Sequence, residues 1–166
     1  VIVSGTAQAA DLRQRPVRIM SVAQGHPDSP GSITQRQDMT RTGLAKAAPR
    51  AFAQAGVVPG DIDVAEIYDC FTYVVLCQLE DLGFCRKGEG GAFVENGAIA
   101  PGGRLAVNTN GGGLSCVHPN MYGAFAVIEA VRQLRGDCGP RQVPDARLVQ
   151  YVCRGNVATS ILYARH

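Results

Sequence analysis

The sequence predicts an α/β domain: a mixed sheet with helices on its faces. Three observations predict it. Short β-rich runs alternate with helical segments along 166 residues, in the order β-α-β-α-β-α-β-β. The helical segments stop at glycines, namely Gly56, Gly83 and Gly136. The last two β-rich runs are separated only by "RGNV", the spacing of a hairpin.

The chain begins with "VIVSGTAQAADLRQRP", which reads as the tail of a strand and a short helical turn. "VRIMSVAQG" (17–25) is β-rich and ends at glycine, the pattern of a strand. Residues 25–39 are polar, contain two prolines and read as loop. An alanine-rich helical segment follows from Thr40 to Ala55, although Pro49 sits inside it. Proline removes a backbone donor, so either the helix kinks there or Pro49 begins its second half.

"DIDVAEIYD" (61–69) reads as a short strand. The next helix places Phe71, Val74, Val75, Leu79 and Leu82 on one face. Residues 85–103 form a glycine-rich excursion, of a length that is usually functional or mobile. "RLAVNTN" reads as a strand leading into "GGGLSCVHP". The helix after Pro119 stacks Ala124, Val127, Ile128, Val131 and Leu134. "ARLVQYVC" and "ATSILYAR" are the final strands, expected to form an antiparallel edge.

Composition narrows the function classes. The length suits about one domain. A formal net charge of +2 is too small to imply a nucleic-acid or membrane partner. No apolar run reaches the roughly 18 residues of a membrane span, and no signal-peptide pattern opens the chain. The six cysteines (70, 77, 85, 116, 138 and 153) have no C-x-x-C pair and no histidine spacing suited to zinc. Reduced thiols in a cytoplasmic protein are therefore expected, with no metal and no resident cofactor.

Three junctions follow strands: "IYDCF", "NTNGGGLSCVHP" and "VCRGN". Ligand sites in α/β sheets collect where strands end and helices begin. Tyr68, Asn108, His118, Tyr122 and Cys153 can therefore share one pocket. Each also has an ordinary reading. A tyrosine at a strand end closes cores, a histidine before proline caps turns, asparagine before glycines makes turns, and cysteine packs as a hydrophobe. The glycine cluster at 111–113 lacks the lysine and hydroxyl of a phosphate-binding loop. Spacing alone leaves the function open.

The runs "AEIYDCFTYVVLCQLEDLGFCRKGEGGAFVENG", "GGRLAVNTNGGGLSCVHP" and "EAVRQLRG", taken in order, resemble the C-terminal half of the thiolase superfamily. The nearest branch is the sterol-carrier-protein thiolase-like, or lipid-transfer-protein, group. The resemblance implies a thiolase-like half. Residues 1–16 would lead in from a missing N-terminal half, and 17–166 would form the C-terminal domain. It implies an acyl-CoA substrate, with coenzyme A present only as part of that substrate, and a homodimer when full length.

Thiolases keep a histidine in a Gly-His-Pro motif, which His118 matches with Val117 in place of the glycine. Cys153 and Gly155 retain the Cys-x-Gly pattern, but Asn156 interrupts the glycine run that follows. Tyr68 stands where thiolases keep asparagine or histidine. Steroid side-chain-cleaving aldolases, which resemble thiolases, carry tyrosine there and a second one just after the His-Pro pair. This sequence has both, Tyr68 and Tyr122.

The resemblance thus implies catalytic roles for Tyr68, His118, Tyr122 and Cys153, and substrate contacts for Asn108, Gly112 and Gly155. It implies retro-aldol cleavage of a branched β-hydroxyacyl-CoA, alongside a partner carrying a DUF35 domain of OB-fold type. The alternatives are an acetyl-CoA acyltransferase and a non-catalytic thiolase-like scaffold. A phenol ionises near pH 10. A helix N-terminus lowers such values, and Tyr122 is expected one turn into a helix.

Overall fold

The computed structural model describes residues 2–9, 11–27, 35–116, 122–154 and 158–165. His118 and Gly155 lie outside these described residues, as does the glycine-to-valine turn of the hairpin.

The regular elements are α1 (Thr6–Ala9), β1 (Val17–Gly25), α2 (Leu44–Ala55), β2 (Val64–Ile67), α3 (Thr72–Asp81), α4 (Gly90–Val94), β3 (Ala106–Val107), α5 (Gly112–Ser115), α6 (Tyr122–Arg135), β4 (Leu148–Arg154) and β5 (Ala158–Arg165). They form one five-stranded sheet in the order β1-β5-β4-β2-β3. β1, β5 and β4 pair antiparallel, and β4, β2 and β3 pair parallel. The mixed sheet is as expected. The position of the final hairpin is not: β5 is flanked by both β4 and β1, so the hairpin lies inside the sheet and β1 takes the edge.

Strand alternation divides the core into two layers. Ala65, Ile67, Val152 and Leu162 face α2 and α3, together with Leu44, Ala48, Leu79 and Leu82. Val64, Val149, Tyr151 and Tyr163 face α6, against Ala126, Ala130 and Leu134. Small residues on α2 and α6 let both helices lie close to the sheet.

Several boundaries shift for local reasons. α2 begins at Leu44 rather than Thr40, because the Thr42 N–H donates to Asp81 Oδ2 at 2.6 Å and its hydroxyl accepts from the Leu44 N–H at 3.1 Å. The helix then runs through Pro49 to Ala55. No strand forms over residues 2–5. The glycine-rich excursion is not loose: Glu80 Oε1 accepts from the N–H groups of Gly88 and Gly90, both at 3.0 Å, and α4 buries Phe93. Phe71 precedes α3 and is 70% exposed, leaving Val74, Leu79 and Leu82 as the buried face.

The buried stripe of α6 is turned relative to expectation. Tyr122, Ala126, Glu129, Ala130, Gln133 and Leu134 face inward, while Ile128 is 45% exposed. Glu129 and Gln133 go inside because buried polar partners await them, a trade that hydrophobic periodicity cannot see.

Candidate active site

β2 ends at Ile67, and its backbone hydrogen bonding continues for one residue. The Tyr68 N–H donates to the Val152 carbonyl at 3.2 Å. The Tyr68 carbonyl accepts from the buried Gln78 Nε2 at 2.6 Å, and the same amide donates to Val74 on α3. Tyr68 is thus fixed from the sheet on one side and from a helix on the other. Its ring lies over Tyr122, the first residue of α6, with centroids 6.0 Å apart and planes tilted by 48°. Tyr122 is buried and Tyr68 half-buried. The 54 residues that separate this pair in sequence collapse to one ring-to-ring contact (122 − 68 = 54).

The turn between β3 and α5 is built around Asn108 and Asp69. Asn108 adopts φ +49°, a left-handed conformation that asparagine tolerates better than most residues. Its Oδ1 accepts from the Ile67 N–H at 2.7 Å, and its Nδ2 donates to the Ile67 carbonyl at 2.9 Å. The side chain therefore replaces a strand. That is why β3 stops at Val107 instead of continuing through "NTN". Both ends of the Asn108 amide are engaged with backbone, so it shapes the turn at the site.

Asp69 is buried, and its carboxylate accepts from the N–H groups of Gly113 at 2.8 Å and Leu114 at 3.2 Å. Gly112 has φ +69°, and a Cβ there would collide with Asp69 Oδ2. Gly112 is required for close approach to Asp69. Gly123 serves a similar end, since a Cβ there would run into the Tyr151 hydroxyl. Cys153 Sγ lies 4.0 Å from the same position, so β4 presents Tyr151 and Cys153 beneath the start of α6.

Electrostatics set the state of the phenols. Burial raises the Tyr122 pKa above its usual value, and the Asp69 carboxylate, joined by Glu66 when that group is ionised, pushes it further up. Burial also raises Tyr68, with the Cys70 and Cys153 thiols and Asp69 adding to it. The expectation that a helix N-terminus lowers Tyr122 fails, because burial and the neighbouring acidic side chains raise it. Both phenols are held neutral at physiological pH. Burial, with Cys153 beside it, raises Tyr151 as well.

The structure thus brings together Tyr68, Tyr122 and Cys153, with Asn108 and Gly112 framing them. Asp69, Glu66, Gln78 and Tyr151 escaped the sequence reading. Asp69 and Glu66 flank Tyr68 within "AEIYDCF", and a carboxylate on each side of a strand-end tyrosine was the available signal. All six cysteines are free. Among the described residues, no helix is long and apolar enough to cross a membrane.

A mixed sheet whose parallel strand end carries a half-buried tyrosine beside a glycine-rich turn, with a thiol on the adjacent strand, has the layout of a thiolase-like half. The chain belongs to the thiolase superfamily: the thiolase C-terminal domain-like family matches residues 25–162. A 17-hydroxy-3-oxo-4-pregnene-20-carboxyl-CoA lyase of Mycobacterium tuberculosis is 42% identical over 141 residues, covering 82% of this chain and 36% of that protein. An acetyl-CoA acetyltransferase of Methanothermobacter thermautotrophicus is 38% identical over 152 residues, covering 89% of this chain and 39% of that protein. Among solved structures, the Ltp2-ChsH2(DUF35) aldolase superposes with a TM-score of 0.87 at 34% identity, over 96% of this chain and 42% of that one. The chain therefore spans less than half the length of these relatives.

Proposed function

We propose that this domain is the C-terminal part of an enzyme that cleaves a carbon–carbon bond in a branched β-hydroxyacyl-CoA by a retro-aldol reaction, on a steroid side chain. The Tyr68–Tyr122 pair carries the reading. A thiolase needs a thiol to take up the acyl group, whereas a retro-aldol step needs only proton transfer at two atoms. The β-hydroxyl loses its proton as its oxygen becomes a carbonyl. The Cα–Cβ bond breaks, its electron pair passes into the thioester enolate, and Cα then takes a proton.

Two neutral phenols 6.0 Å apart, centre to centre, suit such an exchange. One, as a neutral phenol, gives its proton to Cα of the enolate, while the other takes the hydroxyl proton only as it gives up its own to the neighbouring Asp69 carboxylate. The raised phenol pKa values keep both groups protonated, so generating the base is the more demanding half and proton removal is concerted with bond cleavage. His118 is assigned as a donor to the thioester oxygen by its place in the motif. The similarity to the Ltp2-ChsH2(DUF35) aldolase supports a DUF35-bearing partner, and the free thiols support residence in the cytoplasm.

In the full-length enzyme, Tyr68→Phe and Tyr122→Phe each remove one hydroxyl and leave nearly all packing volume. Steady-state cleavage of a β-hydroxyacyl-CoA should fall by the ~10²–10⁴ typical of a lost general acid or base. Near-normal rates in both variants overturn the retro-aldol reading. Loss of activity in Cys153→Ala with both Phe variants active puts acyl transfer in its place, in line with the archaeal relative.

A further inference from the structure

Behind the tyrosine pair lies a buried polar chain that the proposed chemistry does not use. Glu66 is fully buried on β2, between Val64 and Tyr68 on the α6 side of the sheet. Its Oε1 lies 3.0 Å from the Thr109 hydroxyl and 3.3 Å from the Thr109 N–H. Its Oε2 is buried with no hydrogen-bond partner among the described residues. The same Thr109 hydroxyl lies 2.8 Å from Glu129 Oε1 on α6 and receives Gln133 Nε2 at 2.9 Å.

A hydroxyl has one proton, so Thr109 cannot donate to both carboxyls. Glu129 is the ionised one. Arg141 reaches it with Nε at 3.3 Å and Nη2 at 3.2 Å, and the Cys138 thiol adds a contact at 3.6 Å. Burial would raise the Glu129 pKa, but the Arg141 and Thr109 hydrogen bonds win and hold it below the usual value. Thr109 therefore donates to Glu129, and the Glu66–Thr109 contact closes only if Glu66 supplies the proton. Its Oε2 is then a carbonyl oxygen. Leaving a neutral oxygen without a partner costs about 1–3 kcal/mol, far less than leaving a buried carboxylate bare.

We propose that Glu66 is a positioning residue for the tyrosine pair: as a neutral acid donating to Thr109, it keeps a second negative charge away from Tyr122, and its ionisation silences the pair. The proton leaves by a balanced shift. Glu66 gives its proton to Thr109, Thr109 passes its own to Glu129, and Glu129 releases it to solvent beside the half-exposed Arg141. Glu66 is left anionic and the other groups are unchanged.

The groups facing Glu66 support this polarity. Asp69 follows it, just beyond the end of β2. Tyr122, Glu129 and Gln133 face it from α6. Tyr151 is its register partner on β4, with Cys153 two residues on. Arg141 is the described cation of the cluster, and it is engaged with Glu129. Burial pushes Glu66 up to about 8; the hydrogen bonds that Thr109 would give to its ionised form oppose this, and Glu129 and Asp69 add to it.

The rate consequence rests on the retro-aldol reading; the protonation state does not. The test uses the full-length protein with ¹³C-labelled glutamate carboxyls, followed by NMR across pH, with Glu66→Gln for assignment. One carboxyl should stay protonated through neutrality and titrate near 8. If every glutamate titrates near its ordinary value of about 4.3, the proposal is overturned without any turnover measured. Should Glu66→Gln fail to fold, the titration of the parent protein still decides.

The second arm is the pH profile of cleavage. One pH unit above its pKa, about a tenth of Glu66 is neutral. The ratio of variant to parent kcat/KM should therefore rise about tenfold between pH 6.5 and pH 9. A ratio that stays constant across pH shows a merely structural glutamate and overturns the proposal. Loss of activity confined to the Phe variants tests the function reading separately.

Discussion

A carboxyl that keeps its proton in the folded state makes stability depend on pH with an uncommon sign. The Glu66 carboxyl is raised from 4.5 to about 8, so between those values the native state binds a proton that the unfolded chain has released. Stability then falls as pH rises through this window, with a limiting slope of about 1.4 kcal/mol per unit. Below about 4.5 both states hold the proton, and above about 8 neither does, so the contribution levels off at both ends. Urea unfolding of parent and Glu66→Gln at several pH values isolates the effect. The parent should lose stability relative to the glutamine variant from pH 5 to 8, by a few kcal/mol in total. A constant difference would mean that Glu66 is ionised in both states. Glu129, also buried, has the opposite sense: the Arg141 guanidinium keeps it charged.

At the scale of elements, the turn from β3 into α5 is held by one side chain. Asn108→Ala would leave the Ile67 N–H and C=O without their amide partner. It would also force alanine into φ +49°, which costs about 1–2 kcal/mol beyond the lost hydrogen bonds. Asn108→Gly keeps the backbone angle and loses only the amide. Denaturant midpoints should therefore rank parent, then glycine, then alanine, with alanine down by roughly 2–4 kcal/mol. Equal values for alanine and glycine would show that the left-handed angle stores no strain.

Asn108 also marks the limit of what the sequence discloses. The alternation of elements was legible because strand and helix periods differ, and β1 was legible to its ends. The shortness of β3 was not, since "RLAVNTN" has strand composition while its pairing is finished by an amide. The stripe of α6 was misplaced for a related reason. Glu129 and Gln133 look like solvent residues until Thr109 and Arg141 are known to face them. Tyr68 and Tyr122 were recognisable as a pair by motif. Asp69, whose carboxylate orders α5 beneath Tyr122, becomes meaningful only once Gly113 and Leu114 are seen to bind it.

At the scale of the whole molecule, one face of the sheet carries the site and α6 covers only part of it. Phe71 at the end of the site strand is 70% exposed, Leu114 on α5 is 57% exposed, and Phe125 on α6 is 51% exposed. These side chains follow or flank the residues that hold Tyr68, Asp69 and Tyr122. Each exposed aromatic or leucine gains roughly 1.5–3 kcal/mol on full burial, so the surroundings of the site are unfinished in the isolated domain. A retro-aldol centre also has to exclude water from an enolate and to hold a thioester against two phenols. The chain covers 36% of the length of its mycobacterial relative, and under the proposed function the rest of such an enclosure is expected from the remainder of the enzyme. The 166 residues alone are therefore expected to unfold cooperatively, because both layers of core are internal to them. They are expected to turn over no acyl-CoA in a sensitive coupled assay, in contrast to the cleavage proposed for the full-length protein. Robust cleavage by the isolated domain would show that Tyr68 and Tyr122 need no enclosure from outside it, and a non-cooperative melt would show that the two core layers do not suffice.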